Sequence, residues 1–369
     1  MVATDDAISV RVISDTEGIL QIERQWNALV GASCSNAFLL SEFAKEFIEY
    51  VPRGWTPLVL TISKNDVLIG IVPLKTKRNI VGRRVDFLYP QWCSEFIFDE
   101  QHRNECINLT FDFLFKTLNC KFVNFTLPDN SPHSLLLKQE CKLRKIHLET
   151  SPEMSHWIIP INSTWTEFEK LRSKKFERKI NRTERHLNKM GSWKTICIHG
   201  NDQPSIVKTI LNIEEKSWKE KGLGQKEERD WILLLVLRSA QQLAKIEPDF
   251  KWNAWLLELE GKMISYQLSI EFKGVVYFVK TSYDEQYKRL YPGIAIQNAA
   301  IKEQFTRQEN KYIDFLSDFP YFQTWTDECL SRVRVELTKG VTPTIIQLFI
   351  KNKLITRILS NVYGNANEN

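Results

Sequence analysis

Alternating apolar and polar residues mark the strands in the first half of the chain. Residues 8–14, 56–63 and 67–75 alternate with a period of two, as strands with one buried face do, and the polar residues at 64–66 predict a hairpin turn. Further strands are predicted at 84–89, 121–128 and 154–161. Apolar residues three and four positions apart predict helices at 15–30, 41–50, 102–118 and 131–142.

The pattern restarts near residue 160. A long amphipathic helix is predicted at 164–190, with Thr164 and Glu167 forming a capping box at its start. The elements predicted after it are a strand at 193–199, helices at 204–221 and 231–246, strands at 252–260, 263–272 and 275–283, a helix at 293–305 and a strand at 311–316.

The two halves contain similar hairpins, at 58–77 and 255–274, each with a short polar turn that holds a lysine. We therefore predict a mixed α/β fold of two lobes of like design. The predicted units are 1–160, 161–340 and a C-terminal amphipathic helix and tail at 341–369. That helix would pack on a lobe or make a peripheral contact with an anionic membrane.

Composition indicates a folded globular protein. Of the 369 residues, 43% are hydrophobic and 11% aromatic, and the net charge of +5 falls short of a dedicated nucleic-acid binder. The seven cysteines form no CxxC pair, and residues 1–14 lack the cations and apolar run of a signal peptide, so we expect a cytoplasmic protein with reduced thiols. The six histidines lack metal-ligand spacing, and no nucleotide-binding glycine motif occurs.

The positive charge is concentrated at residues 171–191. On a helix, Phe176, Ile180, Leu187 and Met190 would share one side, and Lys174, Arg178, Arg182, Arg185 and Lys189 the opposite side. Three interpretations stay open for this stripe: a solvated face, a site for a phosphate of a donor or acceptor, and a nucleic-acid contact.

A second candidate site lies where a strand leads into a helix. Pro292 and Gly293 follow Lys288 and Arg289, and proline is favoured at the first position of a helix. Unpaired N–H groups and the helix dipole make such an end a site for anions. The same residues would also suit a simple turn into an amphipathic helix.

The stretch around Gly293 resembles the acetyl-CoA loop of the GNAT N-acetyltransferases. Gly293 and Ala295 match the last two positions of the pattern Q/R-x-x-G-x-G/A, whereas its first position falls on Leu290, with Arg289 one residue early. The resemblance implies acetyl-CoA, or another acyl-CoA, as donor and no metal. The implied donor-binding residues are Arg289, Pro292, Gly293, Ile294, Ala295 and Gln297.

Across residues 20–330, the chain is similar to the GNAT-like family of the cellulose-biosynthesis protein CelD, related to the two-lobed FemABX aminoacyltransferases. The matching blocks, in order, are Trp26 with NAFLLSEF, the hairpin ending IVPLK, SEF at 94–96, the basic helix, EEKSWKEKG with Glu214 and Trp218, Tyr283 with Asp284, Pro292 with Gly293, and DFL at 314–316 followed by Trp325. Glu95 replaces the usual Asp of the family. After DFL, Ser317, Asp318, Tyr321 and Phe322 stand where relatives have a Gly-Asp and a Tyr-Lys pair.

Acyl transfer to an amine or hydroxyl needs a base, an acid and no enzyme nucleophile. Glu95 follows the aromatic segment FLYPQWC, and an apolar setting would make its carboxylate a stronger base. Tyr283 beside Asp284 would serve as the acid. Glu214 would shape the donor or acceptor site. Each acid also suits an ordinary structural role. Further substrate contacts are predicted at Trp218, Lys280, Tyr321, Arg178 and Arg182.

These residues predict an acyltransferase that moves an acyl group, acetyl from acetyl-CoA first, to a small-molecule or polymer-precursor acceptor of sugar or cell-envelope type. An alternative is FemABX-like transfer from aminoacyl-tRNA, the one nucleic acid expected as a partner. A third hypothesis is a non-catalytic nucleic-acid or partner-binding protein that retains the fold. The sequence leaves the acceptor and the oligomeric state open.

Overall fold

The computed structural model describes residues 7–79, 82–200, 206–217 and 226–340. The predicted C-terminal helix, Trp218 and part of the helix predicted at 204–221 lie outside these ranges. The helices are α1 (Thr16–Ser33), α2 (Ser41–Glu49), α3 (Arg103–Asp112), α4 (Pro132–Leu143), α5 (Trp165–Lys170), α6 (Lys174–Met190), α7 (Ile206–Glu215), α8 (Lys226–Ile246) and α9 (Pro292–Arg307).

The strands are distributed among the helices along the whole described chain, as expected for a mixed α/β fold. They are β1 (Ile8–Ile13), β2 (Thr56–Lys64), β3 (Val67–Asn79), β4 (Gly82–Phe87), β5 (Ile97–Phe98), β6 (Cys120–Pro128), β7 (His147–Pro160), β8 (Trp193–His199), β9 (Phe250–Leu259), β10 (Lys262–Phe272), β11 (Val275–Tyr283), β12 (Tyr312–Asp314) and β13 (Glu328–Thr338).

The described strands join into one mixed sheet. Its order is β1-β2-β3-β4-β6-β13-β7-β12-β11-β10-β9-β8, with the short β5 beside β3. Each half of this order contains an antiparallel run that ends in a parallel pair, β4 with β6 in the first half and β11 with β12 in the second. The two halves therefore repeat one design, which confirms the predicted fold class.

The halves are joined by an exchange of strands at the centre of the sheet. β7 leaves the first half and pairs with β12, whereas β13 returns from the second half and pairs with β6. β7 and β13 also pair with each other. The last strand of each half thus lies where the halves meet, and the unit boundaries at 160 and 340 stay predictions.

Three buried apolar clusters hold the helices on the sheet. One cluster spans both halves and unites α1, α2, α7 and α8 with β9, β10 and β11. A second fills the first half around α3 and α4, and a third packs α5, α6 and α9 on the second half. One face of the second half therefore carries α6 and α9, and the opposite face meets the first half.

The helix predicted at 164–190 is two helices. The capping box of Thr164 and Glu167 is present, but α5 ends at Lys170, and the Ser173 side chain caps a new helix by accepting from the Phe176 N–H. Phe176, Ile180 and Leu187 are buried as predicted. Met190, which was expected on the same apolar side, is 55% exposed because it lies at the end of α6.

Candidate functional site

The start of α9 lies at the carboxyl end of β11, as the sequence predicted. Tyr291, immediately before the helix, is left-handed (φ 56°), and its carbonyl accepts from the Ile294 N–H at 2.9 Å. Gly293 stands in the first turn, where an added Cβ would lie 3.5 Å from Cδ1 of Tyr283, an ordinary contact distance. The helix thus presents its positive end beside Tyr283, and a side chain at position 293 can be accommodated.

Cations of α6 stand against this positive end. Arg182 Nη2 donates to the Tyr291 hydroxyl at 2.8 Å, and its guanidinium lies 5.0 Å from the centre of the same ring. Lys179 Nζ lies 5.0 Å from the Tyr321 ring, and burial together with the charge of Lys175 lowers the pKa of Lys179. Among the described residues, neither Lys179 nor Arg182 has a carboxylate partner. A helix dipole and unpaired cations of the same sign favour a bound anion.

The rest of the basic helix extends away from this end. His186 Nδ1 donates to the Arg289 carbonyl at 3.1 Å, which fixes α6 against the loop before α9. Arg178 and Arg185 are exposed, and Arg185 Nε donates to the Asn181 carbonyl of its own helix. The side of α6 that faces α9 and the loop before it therefore carries Lys179, Arg182 and His186.

A chain of polar side chains lies behind the α9 end. Tyr321 donates to Gln297 Oε1 at 2.7 Å, and Gln297 Nε2 donates to Thr281 Oγ1 at 3.1 Å. Thr281 in turn donates to Gln267, which is buried in β10. Tyr321, Gln297 and β11 are thus connected, so two of the predicted residues support the wall of this site.

Glu214 and Lys280 form a separate buried ion pair. Lys280 Nζ lies 2.7 Å from Glu214 Oε1, and the Tyr266 hydroxyl donates to the other carboxylate oxygen at 2.8 Å. Glu214 also has an interaction beyond these two. Both residues were predicted as site residues, and the structure brings them to each other on the α7 side of the sheet.

Tyr283 and Asp284 lie at the end of β11. Asp284 caps the short 3-10 helix Glu285–Leu290, because its carboxylate accepts from the Gln286 backbone N–H at 3.1 Å and from its side chain at 3.0 Å. Burial raises the pKa of Tyr283, so the phenol keeps its proton at neutral pH, as a general acid must. The catalytic roles of both residues stay predictions.

A cavity of about 400 Å³ opens where the two halves of the sheet meet. Its walls come from the segment after α1, the segment around Glu95, the end of β6, β7, β11, β12 and the start of β13. Of the predicted site residues that the structure describes, Glu95 alone lines it. The exchanged strands β7 and β13 both contribute side chains, so the cavity depends on the joined sheet.

His156 and Asp314 face each other in this cavity. His156 Nδ1 lies 3.2 Å from Asp314 Oδ2, and each side chain is only 5% exposed. The other oxygen of Asp314 accepts from the Leu316 N–H at 2.7 Å. Because a carboxylate can only accept, Nδ1 carries the proton and the lone pair resides on Nε2, for which the described residues provide no hydrogen-bond partner.

Arg332 of β13 completes the charged wall. Its Nη2 donates to the Ser94 carbonyl at 2.5 Å and to the Thr126 carbonyl at 3.4 Å, and burial lowers the pKa of this guanidinium. Glu95 is nearby on the adjacent segment, 3.4 Å from His133 Nδ1. Arg332 therefore binds backbone oxygens of the first half, and no carboxylate in the described part of the chain pairs with it.

Neutral groups line the remaining wall. The Tyr277 hydroxyl donates to the Ser35 carbonyl at 2.7 Å, which ties β11 to the first half. Burial raises the pKa of Tyr312 to about 12, and burial with the nearby charge of Glu95 raises the pKa of the Cys34 thiol to about 12. Neither group ionises at neutral pH, so the cavity's charge comes from its acids and Arg332.

Sequence reasoning did not select His156 or Arg332, and it noted Asp314 only as part of the DFL block and not as a site residue. Each is a polar residue inside an otherwise apolar or alternating strand, such as SHWIIP and KYIDFL, and that is the signal that could have marked them. Their proximity could not be read from the sequence, because His156 and Asp314 are 158 positions apart.

Two kinds of feature are absent from the described residues. No helix there is long and apolar enough to cross a membrane. No group of three His, Cys, Asp or Glu side chains in those ranges is placed to hold a metal ion.

Comparison with known families finds a similarity in the second half. Residues 174–323, which include α6, α9 and β12, match the family model of an acetyltransferase (GNAT) domain. No curated protein sequence matches the chain significantly. The part of the chain that contains the α9 end is therefore similar to a GNAT domain.

Solved structures extend the likeness to the whole chain. FemX has a TM-score of 0.58 at 11% identity, over 88% of this chain and 98% of FemX. The C-terminal DUF2156 domain of a candidate lysylphosphatidylglycerol synthetase from Agrobacterium fabrum has a TM-score of 0.55 at 9% identity, over 91% of this chain and 96% of that domain. L-PGS from Bacillus licheniformis has a TM-score of 0.53 at 9% identity, over 90% of this chain and 96% of L-PGS. These TM-scores show that the fold is shared over most of the chain.

Proposed function

We propose that this protein is an acyltransferase of the CelD type whose donor carries phosphates that bind at the start of α9. Our first choice of donor is acetyl-CoA or another acyl-CoA, and the acceptor is an amine or hydroxyl of a sugar or cell-envelope precursor. The observation that supports the donor site is the contact of Arg182 with the hydroxyl of Tyr291, the residue immediately before α9. A cation there is unfavourable unless an anion joins it.

In this proposal the donor phosphates contact the α9 N–H groups, Arg182 and Lys179. Gly293 keeps the helix end open, and the chain from Tyr321 to Thr281 holds the wall beside it. The pairing of β11 with β12 covers only Val275–Tyr277 opposite Tyr312–Asp314. Beyond these residues the two strands are not paired, which leaves an opening between them. The acyl end of the donor would pass through this opening towards the cavity on the opposite face.

Transfer from aminoacyl-tRNA is the second candidate. α6 has 17 residues and is about 25 Å long, and its exposed cations continue past the α9 end. A stripe of this length suits an extended phosphate backbone. This donor is consistent with the fold that the chain shares with FemX and with a domain named for lysylphosphatidylglycerol synthesis.

Calorimetry with acetyl-CoA and with a total tRNA pool, each at two salt concentrations, tests the proposal. We expect acetyl-CoA binding to weaken by about tenfold or more in Arg182→Glu and in Gly293→Asp, since both place a carboxylate where the phosphates would bind, at a cost of about 1.4 kcal/mol or more. Arg185→Glu is the matched control, because it makes the same charge change on α6 at an arginine that contacts the Asn181 carbonyl of its own helix and not Tyr291.

The outcomes separate the candidates. Binding of tRNA alone, falling steeply as salt rises, would favour the aminoacyl donor. Binding of acetyl-CoA that is equally weakened by Arg182→Glu and Arg185→Glu would contradict the placement of the site. Binding of neither donor would leave the third hypothesis, a non-catalytic protein with this fold.

A further inference from the structure

We propose that the positively charged end of the sheet in the first half is a surface that binds an anionic lipid bilayer. This surface, the basic end, consists of exposed or half-buried cations at the end of β3 and at the starts of β4 and β6: Lys77, Arg78, Arg83, Arg84 and Lys121. Neither the donor site nor the cavity takes part in this contact, so it is a property of the protein beside the proposed transfer.

The register of β3 and β4 places like charges opposite each other. Lys77 faces Arg84, and Arg78 faces Arg83, across the antiparallel pair. Like charges directly opposite each other destabilise a sheet. An anionic surface that approaches this end of the sheet would relieve the repulsion.

The basic end has more positive charge than the acids near it offset. Residues 75–84 contain five Lys or Arg and no acid. Two acids act on Arg84: Asp86, which accepts two hydrogen bonds of 2.8 Å from it, and Glu336, whose charge is close by. Within the described ranges, no carboxylate forms an ion pair with the other four cations of the basic end. The basic end therefore keeps a net positive charge, which attracts anionic lipids.

Trp55 holds cations together at this end. The centre of its ring lies 4.5 Å from Lys77 Nζ, 5.6 Å from Lys75 Nζ and 5.7 Å from Arg84 Cζ. Cation–π contacts of this kind keep the charged groups close to one another at the surface. Tryptophan is also enriched at membrane–water interfaces, because its ring has an apolar body and a polar N–H. The combination of Trp55 with these cations thus suits the head-group region of a bilayer.

The cations surround the end of the hairpin that β3 and β4 form. Successive residues of a strand point to opposite faces of a sheet, so Lys77 and Arg84 lie on one face, and Arg78 and Arg83 lie on the other. Cations on two faces do not converge on one point, as the donors around a single phosphate do. They suit an extended anionic surface that meets both faces at the end of the sheet.

The C-terminal segment begins at the same end of the molecule. The Lys339 N–H donates to the Lys121 carbonyl at 3.3 Å, and a Cβ added to Gly340, the last described residue, would lie 3.4 Å from Lys121 Nζ. In the sequence that follows, 341–369, apolar residues recur at helical spacing, and three Lys or Arg stand at 351–357. A sequence of this composition is typical of segments that bind anionic membranes. The position of this segment beside the basic end favours a bilayer over a nucleic acid as the partner.

The cavity lies at a distance from the basic end. β13 lines the cavity with Cys329–Arg332 and ends at Thr338, which pairs with Phe122, the residue after Lys121. The six residues from Arg332 to Thr338 span about 20 Å of strand. A bilayer at the basic end would therefore be separated from the cavity by about 20 Å of sheet and would leave it uncovered.

Vesicle flotation with the full chain tests the proposal. The probes are vesicles of phosphatidylcholine alone and vesicles of phosphatidylcholine mixed with phosphatidylglycerol. We expect the protein to bind the mixed vesicles, with an affinity that falls as salt rises, and to bind the neutral vesicles weakly. The double variant Lys77→Gln with Arg78→Gln should bind the mixed vesicles about 30-fold more weakly, about fivefold for each cation removed.

Two controls accompany this variant. Lys174→Gln with Arg185→Gln removes one lysine and one arginine from exposed positions of α6 in the second half, and should keep the wild-type affinity for the mixed vesicles. Thermal unfolding of the Lys77→Gln, Arg78→Gln variant should occur at the wild-type temperature or above it, because the variant removes facing like charges. A loss of vesicle binding in that variant then reports on the surface and not on unfolding.

Three results would overturn the proposal: no binding to the mixed vesicles, equal binding to neutral and mixed vesicles, or equal losses in the two double variants. Binding of a total tRNA pool that is lost in the Lys77→Gln, Arg78→Gln variant, without binding of vesicles, would assign the basic end to a nucleic acid instead. Strong binding to mixed vesicles that only this variant loses would support the bilayer.

Discussion

Glu271 is the most heavily bonded acid in the described structure. It is buried in β10, where Arg307 donates to both of its oxygens at 3.0 and 3.1 Å. Side-chain amides supply the remaining donors, from Asn253, Gln304 and Asn310. This cluster joins β9 and β10 to α9 and the loop after it, so it fixes the helix whose other end forms the donor site.

We predict that Glu271→Ala destabilises the protein by about 3–5 kcal/mol, because it leaves the Arg307 charge without its buried partner. Glu309→Ala is the matched control, since Glu309 contacts the same guanidinium at 2.7 Å but is 53% exposed. A surface pair of this kind contributes about 1 kcal/mol or less. Urea unfolding of both variants measures the difference, and equal losses would contradict the argument.

Single residues were predictable where a local pattern marks them. The acid in SEF and the Pro-Gly before a helix stand out in the sequence, and the structure places Glu95 in the cavity and Gly293 at the α9 end. Asp284 shows the limit of such reasoning. Its position at a strand end was clear, but its hydrogen bonds to Gln286 depend on the turn that follows.

At the scale of the element, the division between α5 and α6 is the main difference from the predicted helices. Periodicity continues through residues 171–173, but Ser173 adopts an extended conformation (φ −68°, ψ 152°) and caps α6 through the Phe176 N–H at 3.2 Å. A serine at this place competes with the helical backbone for hydrogen bonds. The break lets α6 turn its cations towards α9.

We predict that Ser173→Ala destabilises the protein by about 1 kcal/mol, since it removes an N-cap. In one continuous helix the same change would be stabilising, because alanine is the better residue in a helix interior. The sign of the change in thermal unfolding temperature therefore distinguishes the two structures. Ser163→Ala, outside both helices, is the control and should be close to neutral.

The strand β13 was missed although its pattern is present. In SRVRVELT the apolar residues alternate, and Val333, Val335 and Leu337 are buried against the first half. The segment follows the last of the GNAT-like blocks in the sequence. Alternation alone would have identified the strand, but not its two neighbours.

At the scale of the whole molecule, the exchange of β7 and β13 makes the two halves depend on each other. β13 lies between β6 and β7 and pairs with both along its length. Without it, both neighbours would lose a ladder of backbone hydrogen bonds, and the core of the first half would lose three apolar side chains. The halves are therefore expected to unfold together.

We predict that a chain ending at residue 327 loses its native fold, as measured by near-UV circular dichroism and by the loss of a cooperative thermal transition. A chain ending at residue 340 is the matched control, because it keeps β13 and every other described strand. A native spectrum and transition in the shorter chain would show that the first half closes its sheet without β13.

The sequence by itself determined most of the elements, the repeated design of the halves, the Pro-Gly helix start and the concentration of cations on one helix. These are local properties, since period, caps and charge runs are set by residues a few positions apart. The tertiary structure decided which cations meet α9, and it brought His156 from β7 to Asp314 of β12. Contacts of that kind depend on strand order, and the exchange that creates the cavity is set by the packing of the whole sheet.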